Sequence, residues 1–273
     1  MKALAIEQEQ KIQLGIMDYL HNICLKEGLT YYLGFGSLIG AIREHGFIGW
    51  DDDIDVLMKR ADVEKLKKVI IKYPDPAYFL QTIETDPDML YPGIVRICVN
   101  NTLKYSDEHY QNVDFHKGIY LDIFPLDFAH ETVEEDVAAI EKSRQILYFI
   151  RTKFKRVNEI RSIKGFVAFC LAKILPKNRL VKEYINTTQK YPKNNARLIA
   201  YPSSYKALKI IFPAKWFAET INVDFCDRKY WGPACYDQIL TQLYGDYMTP
   251  KQTKDYFHEA YIIDERKDFP KLS

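Results

Sequence analysis

The sequence predicts an α+β fold, a mixed sheet backed by helices, and three observations carry that prediction. Short apolar runs of strand character are interleaved with helical periodicity up to residue 130. Beyond that point strand signals nearly vanish and long helical patterns take over. The 273 residues are 47% apolar, enough for one large domain or two small ones with a full-sized core.

The elements follow in order. Residues 4–27 read as an amphipathic helix, with Ile12, Ile16, Tyr19, Leu20 and Ile23 at helical spacing and Gly28 as a stop. Tyr31–Phe35 is a short apolar strand. Ser37–His45 reads as a helix, with Ser37 a candidate N-cap and Gly46 a stop. Asp53–Met58 alternates like a strand, and Ala61–Lys72 is helical. Tyr78–Ile83, Ile94–Val99 and Ile119–Phe124 are further strands. Glu131–Val157, Ile163–Leu175 and Arg179–Tyr191 are expected as helices, followed by helices near Pro233–Leu243 and Pro250–Glu259. No repeat, low-complexity tract or Gly/Ser linker interrupts the chain.

The net charge is +1, but its distribution is uneven. Between Lys142 and Lys193 there are 14 Lys/Arg against two acids, which makes that segment +12 and the remainder −11. The five cysteines have no CxxC spacing, so they are expected to be buried, reduced thiols of a cytosolic protein. No run reaches the roughly 18 apolar residues of a spanning helix, and the N-terminus lacks a signal-peptide core. A cytoplasmic location is expected.

The most informative stretch is GFGSLIGAIREHGFIGWDDDIDV, residues 34–56. Gly34, Gly36 and Ser37 join a strand to a helix; glycines admit an anion close to the backbone, and Ser37 adds a hydroxyl. Taken alone, they also fit an ordinary strand–helix turn. Four aspartates follow: Asp51, Asp52, Asp53 and Asp55. On a strand, Asp53 and Asp55 share one face, about 6–7 Å apart, while Ile54 and Val56 face the core. Two carboxylates so placed can share a hard divalent cation, without which like charges repel. A solvated acidic loop is the competing reading. Asp122 lies between Leu121 and Ile123 in an apolar strand, where a carboxylate needs a partner or a metal. Asp127, after Pro125, is expected in a turn.

The stretch 34–56, followed by GIYLDIFPLD and by LTQLYGDYMTP at residues 240–250, closely resembles the LicD family. That family is similar to fukutin-type proteins and, more distantly, to the nucleotidyltransferase superfamily. The resemblance implies a nucleotidyltransferase-like fold, with Gly36 and Ser37 at the nucleotide phosphates and Asp53, Asp55 and Asp122 holding Mg²⁺ (or Mn²⁺). Fifteen residues separate Ser37 from Asp53, slightly more than in the general superfamily pattern, so Asp51, on the same strand face, is the reserve ligand. It further implies transfer of phosphocholine from CDP-choline, or a similar nucleotide-activated donor, to a sugar hydroxyl of a teichoic-acid or lipopolysaccharide precursor, releasing CMP. The alternatives are transfer of another phospho-alditol or sugar-phosphate group, or a non-catalytic nucleotide-binding paralogue.

Further roles are expected around that site. Arg43 and Arg96 are candidate phosphate clamps, and Lys104 is a weaker one. Asp122 is also a candidate general base. Choline's quaternary ammonium suits aromatic faces; Trp50, directly before the aspartates, is the first candidate, with Tyr91, Tyr105 and Tyr120 behind it. The organisation expected is a nucleotidyltransferase-like catalytic core (1–130), a basic helical region (131–200) and a C-terminal region packing on the core (201–273). The apolar run Phe166–Ala172, set among basic residues, reads either as a core helix with a solvated basic face or as a peripheral contact with an anionic membrane. The latter would suit a lipid-linked glycan acceptor. No recognition motif points to nucleic acid.

Overall fold

The computed structural model describes residues 3–104, 113–189, 194–202, 204–250 and 260–262. Helix α1 (Ile6–Glu27) is followed by β1 (Tyr31–Leu33), the short helix α2 (Phe35–Ile39) with a π-helical turn at Gly40–Glu44, and β2 (Asp55–Lys59). Next come α3 (Arg60–Lys72), β3 (Tyr78–Gln81), β4 (Val95–Val99), β5 (Thr102–Lys104) and the long strand β6 (Tyr120–Ala129). Three helices follow: α4 (Val133–Thr152), α5 (Ile163–Ile174) and α6 (Lys177–Gln189). The described remainder holds β7 (Asn194–Ile199), β8 (Ile211–Pro213), β9 (Thr220–Phe225), β10 (Arg228–Pro233), α7 (Tyr236–Tyr244) and β11 (Ala260–Ile262). The class is α+β, a mixed sheet flanked by helices in the nucleotidyltransferase-like manner.

The main sheet runs β1-β2-β6-β4-β3, with β7 and β8 continuing from β6. β2 and β6 are parallel, and the other pairings are antiparallel. β6 is the central strand, buried along nearly its whole length. It changes neighbour midway: Ile123 pairs with β4 and Asp127 with β7. Pro125 falls in the gap between those pairings, where a missing N–H disturbs least. Asp127 therefore lies within a strand, not in the expected turn.

The five strands after residue 130 correct the helix-only expectation for that half. They are short, three to six residues, and several carry polar residues or proline. β9, TINVDF, buries only Val223 and Phe225, a weak alternation to read without its hairpin partner β10. α7 starts at Tyr236 because Pro233 ends β10. The helix expected over Pro250–Glu259 lies outside the described residues.

One buried cluster gathers side chains from α1, the main sheet and the C-terminal elements, including Met17, Leu33, Ile123, Phe212, Phe225 and Leu240. Each such side chain contributes about 1.5–3 kcal/mol by leaving water. α3 presents Val63, Leu66 and Ile70 to the sheet at helical spacing. α4 starts with a capping box: Thr132 Oγ1 accepts from the Glu135 N–H, and Glu135 returns a carboxylate to the Thr132 N–H. All five cysteines are free; Cys24 and Cys98 are buried as expected, whereas Cys170 and Cys226 are exposed. Burial pushes the Cys24 thiol up to about 12, which makes it inert.

Candidate active site

The Gly-Ser turn is stitched to the start of β2. The Gly34 N–H donates to the Asp55 carbonyl at 2.9 Å, and the Asp55 N–H donates to Ser37 Oγ at 2.9 Å. α2 begins at Phe35 with Gly34 as its N-cap, so Ser37 is not the cap. Its buried hydroxyl oxygen accepts the hydrogen bond from the Asp55 N–H and keeps its own O–H to donate. Phe35 sits at φ 45°, a conformation that bulky residues adopt only under constraint. Stacking on Tyr205 and an edge contact with Phe124 hold it there. At Gly36 a methyl would lie 2.9 Å from Asp51 Oδ2, so the glycine admits that carboxylate.

Residues 51–54 precede β2, yet they keep the expected alternation of facing. Ile54 and Val56 are fully buried, and Asp51, Asp53 and Asp55 are partly accessible. Asp52 is buried instead. Lys104, itself fully buried, approaches the Asp52 carboxylate at 3.3 Å and Glu9 at 2.8 Å, and donates to the Asp52 carbonyl. The DDD run is thus divided between a structural ion pair and an acidic cluster. Each of Asp51, Asp52 and Asp53 offers an oxygen within 4.8 Å of the other two.

Asp55 sits opposite Asp122 in the β2–β6 register, and Asp122 sits opposite Arg96 in the β6–β4 register. Arg96 Nε donates to Asp122 Oδ1 at 2.6 Å. Burial, then Asp53 and Asp52, push the Asp51 carboxyl up to about 8, with a hydrogen bond to Asp53 adding to the rise. Burial, then Asp53, Asp122 and Asp51, push Asp55 well above the carboxylate range, with Arg96 opposing. These are the conditions under which oxygen ligands take up a hard divalent cation: like charges, confined, with no nitrogen or sulfur among them. Tyr205 and Tyr244 are hydrogen-bonded to each other; burial raises both phenols, the mutual hydrogen bond raises Tyr244 and lowers Tyr205, and Asp55 and Asp51 lie close enough to raise both further. Tyr244 belongs to the segment 240–250.

A cavity of about 450 Å³ opens beside the cluster. Asp53, Asp122, Arg96 and Arg151 supply its charged groups, and Tyr91, Tyr120, Tyr184 and Tyr201 much of its aromatic wall. The Arg96 guanidinium lies over the Tyr120 ring at 3.8 Å, and Arg151 over Tyr91 at 5.4 Å. The Tyr201 hydroxyl is buried and has no hydrogen-bond partner among the described residues. At Gly93 a Cβ would lie 2.4 Å from the Tyr184 hydroxyl, so only glycine lets that ring reach the cavity.

Of the residues singled out in the sequence, Asp53, Asp122, Arg96, Tyr91 and Tyr120 line this cavity, and Gly36, Ser37 and Asp55 adjoin the acidic cluster. Trp50 packs, partly buried, on the main core and is not among the cavity residues. Arg43 is not among them either; it donates to the Tyr247 carbonyl at 2.8 Å and to Glu44 at 2.7 Å, tying the π-helical turn to the segment 240–250. Lys104 is committed to Glu9 and Asp52, and Tyr105 lies outside the described residues. Leu147, Arg151 and Tyr184 were not foreseen at the site. They come from α4 and α6, in the helical region read as separate from the core. The one available signal was Leu147 and Arg151 four residues apart on a helix face.

The acidic cluster on a mixed sheet, entered through a Gly-Ser turn, is the arrangement of a nucleotidyltransferase-like domain. Comparison with known sequences agrees: the family described as LicD/FKTN/FKRP, nucleotidyltransferase domain, matches residues 28–161. The lipopolysaccharide cholinephosphotransferase LicD of Haemophilus influenzae is 30% identical over 274 residues, covering 96% of this chain and 100% of that protein. Uncharacterised proteins of Rickettsia typhi (24% over 132 residues, 48% of this chain and 40% of that one) and Rickettsia prowazekii (29% over 77 residues, 28% and 26%) match in part. The chain belongs to the LicD family and is a transferase.

Proposed function

We propose that the protein transfers phosphocholine from CDP-choline to a hydroxyl of a glycan acceptor, releasing CMP. The observation that carries this reading is the double character of the cavity: carboxylates adjoin aromatic faces within one 450 Å³ space. A phosphate-linked quaternary ammonium needs both, since it donates no hydrogen bond and is held by ring faces. Similarity to the Haemophilus influenzae lipopolysaccharide cholinephosphotransferase along nearly the whole chain supports the same reading.

In the reaction, the acceptor oxygen forms a bond to the choline-bearing phosphorus, the bond to CMP breaks, and the hydroxyl proton passes to a carboxylate of the cluster. Asp53 and Asp55, with Asp51 beside them, would hold Mg²⁺ or Mn²⁺; Asp122, fixed by Arg96, completes the set. When bound there, the ion would supply positive charge against that developing on the departing phosphate. Ser37 offers its hydroxyl proton to a donor phosphate, and Arg151 offers charge from the far wall. Tyr184 and Tyr201 are the rings offered to choline, because Arg96 already lies over Tyr120 and Arg151 over Tyr91.

The test is CMP release with Mg²⁺ across a series of CDP-alcohols. Turnover with CDP-choline and not with CDP-ribitol or CDP-glycerol is expected. The reverse preference would replace phosphocholine with a phospho-alditol, and no release from any donor would remove the transferase chemistry as written.

A further inference from the structure

Helix α5 is apolar and exposed, which corrects the reading of a core helix. Ile163 is 85% exposed and Ile174 78%, with Phe166, Val167 and Leu171 also in solvent; Ala172 is its one buried residue. At about 100° per residue, Ile163, Phe166, Val167, Leu171 and Ile174 fall on one side. Lys164 and Lys173 stand at the two edges of that stripe, and Ala168 and Ala172 turn toward α4. Arg156 and Arg161, both exposed, precede the helix, as does the exposed Val157. Among the described residues no element covers this face.

The face is also held firmly. Lys153, just past the end of α4, donates to the Ala172 and Leu175 carbonyls at 2.6 Å each, and Lys173 donates back to the Lys153 carbonyl. Arg151, two residues before Lys153, lines the cavity. No described helix is long and apolar enough to cross a membrane. α5, twelve residues long, can only lie flat.

We propose that α5 docks the protein on an anionic lipid surface, its apolar stripe sunk about 5–10 Å into the headgroup boundary. Its lysines lie along the edges, where long side chains keep their charge in water. The charge decides between occupants. The segment 156–173 carries Arg156, Arg161, Lys164 and Lys173 against one acid, Glu159, so a second copy would bring like charges together, whereas anionic headgroups neutralise them. Docking here would hold the protein on the surface that carries a lipid-linked acceptor; that consequence rests on the transferase reading, but the docking itself does not.

The experiment is co-sedimentation of the full chain with phosphatidylcholine vesicles, with and without 30% phosphatidylglycerol, in the absence of any donor. Binding at least tenfold stronger to the anionic vesicles is expected, and it should weaken with salt. Ile163→Glu/Val167→Glu should reduce it tenfold or more, Ile163→Leu/Val167→Leu should retain it, and each neutralisation, Arg161→Gln or Lys164→Gln, should weaken it roughly fivefold. Circular dichroism should be unchanged in all, since these side chains are exposed. Absence of anionic-lipid binding, or binding equal in the glutamate variant, overturns the proposal. So does a dimer seen by sedimentation velocity that the glutamate variant dissociates without any lipid binding. None of these outcomes bears on CMP release, so failure here and failure of the transferase reading remain separate.

Discussion

Strand β6 carries two aspartates five residues apart, and each is buried against an arginine. Asp127 and Arg60 form a symmetrical fork, 2.8 Å at both contacts. Asp122 and Arg96 form a lopsided one, 2.6 Å and 3.4 Å. Their surroundings differ more than their geometry. Asp127 lies where β6 pairs with β7 and is absent from the cavity wall, whereas Asp122 lines the cavity and faces Asp55 across the sheet. The same ion pair is a structural joint at one end of the strand and part of a charged site at the other. Carboxylate neighbours, rather than the pair itself, separate the two cases.

The largest expected effect on stability is at the structural joint. Asp127→Asn takes from Arg60, whose side chain is 25% exposed, its closest counter-charge and leaves Glu64 at 3.4 Å, which costs about 1.5–3 kcal/mol. At about 2–4 °C per kcal/mol for domains of 150–250 residues, thermal unfolding should drop by roughly 3–12 °C. Turnover per folded molecule should stay near that of the parent. A stable but inactive variant would break the comparison.

Asp122→Asn should do the opposite. Its loss removes a charge that destabilises Asp55, which offsets the weakened Arg96 pair, so thermal unfolding should move little. CMP release should fall about 10²- to 10³-fold in kcat, the scale seen when one preorganised group is lost from a charged site. Equal losses of stability in the Asp122 and Asp127 variants, with activity kept in both, would make the pairs equivalent.

What the sequence disclosed follows the same division. The alternation Asp51, Asp53, Asp55 against Ile54 and Val56 was legible because a period of two survives even where β2 has not yet begun. Asp122 was legible as a charge in an apolar run. Asp52 was not, because its partner Lys104 lies far along the chain and nothing local marks the pair. Tyr184, Tyr201 and Arg151 were hidden for a related reason: in sequence they are ordinary residues of a helical half, and only tertiary packing turns them toward the cavity. Trp50 shows the converse, where adjacency to the aspartates in sequence does not bring it into the cavity wall.

A pH series sharpens the contrast next. Burial and like charges raise Asp51 to about 8 and Asp55 in the same direction, so the folded state keeps protons that the unfolded chain has released. Stability contributed by these groups is present below the unfolded carboxylate pKa and is lost as pH rises toward 8. Without divalent cation, thermal unfolding should therefore fall from about pH 5 to pH 8. Mg²⁺ or Mn²⁺ at about a hundred times its Kd should add about 2.7 kcal/mol and flatten the slope. The Asp127→Asn variant should keep both features, because its change lies at the other end of β6. A flat profile without metal would count against a strained acidic cluster.

The smallest effect concerns a single proton at the cavity. Tyr201 buries a hydroxyl that has no partner among the described residues, and burial holds its pKa above the usual phenol value, so it remains a donor at neutral pH. In the free protein that unpaired group is a cost, so Tyr201→Phe should leave stability unchanged or raise it slightly. If the hydroxyl donates to bound substrate, the same change should raise KM about 2- to 13-fold, the equivalent of about 0.5–1.5 kcal/mol for one hydrogen bond, with kcat nearly constant. An unchanged KM would make Tyr201 a wall residue only, and would leave recognition on that side of the cavity to the ring faces and Arg151.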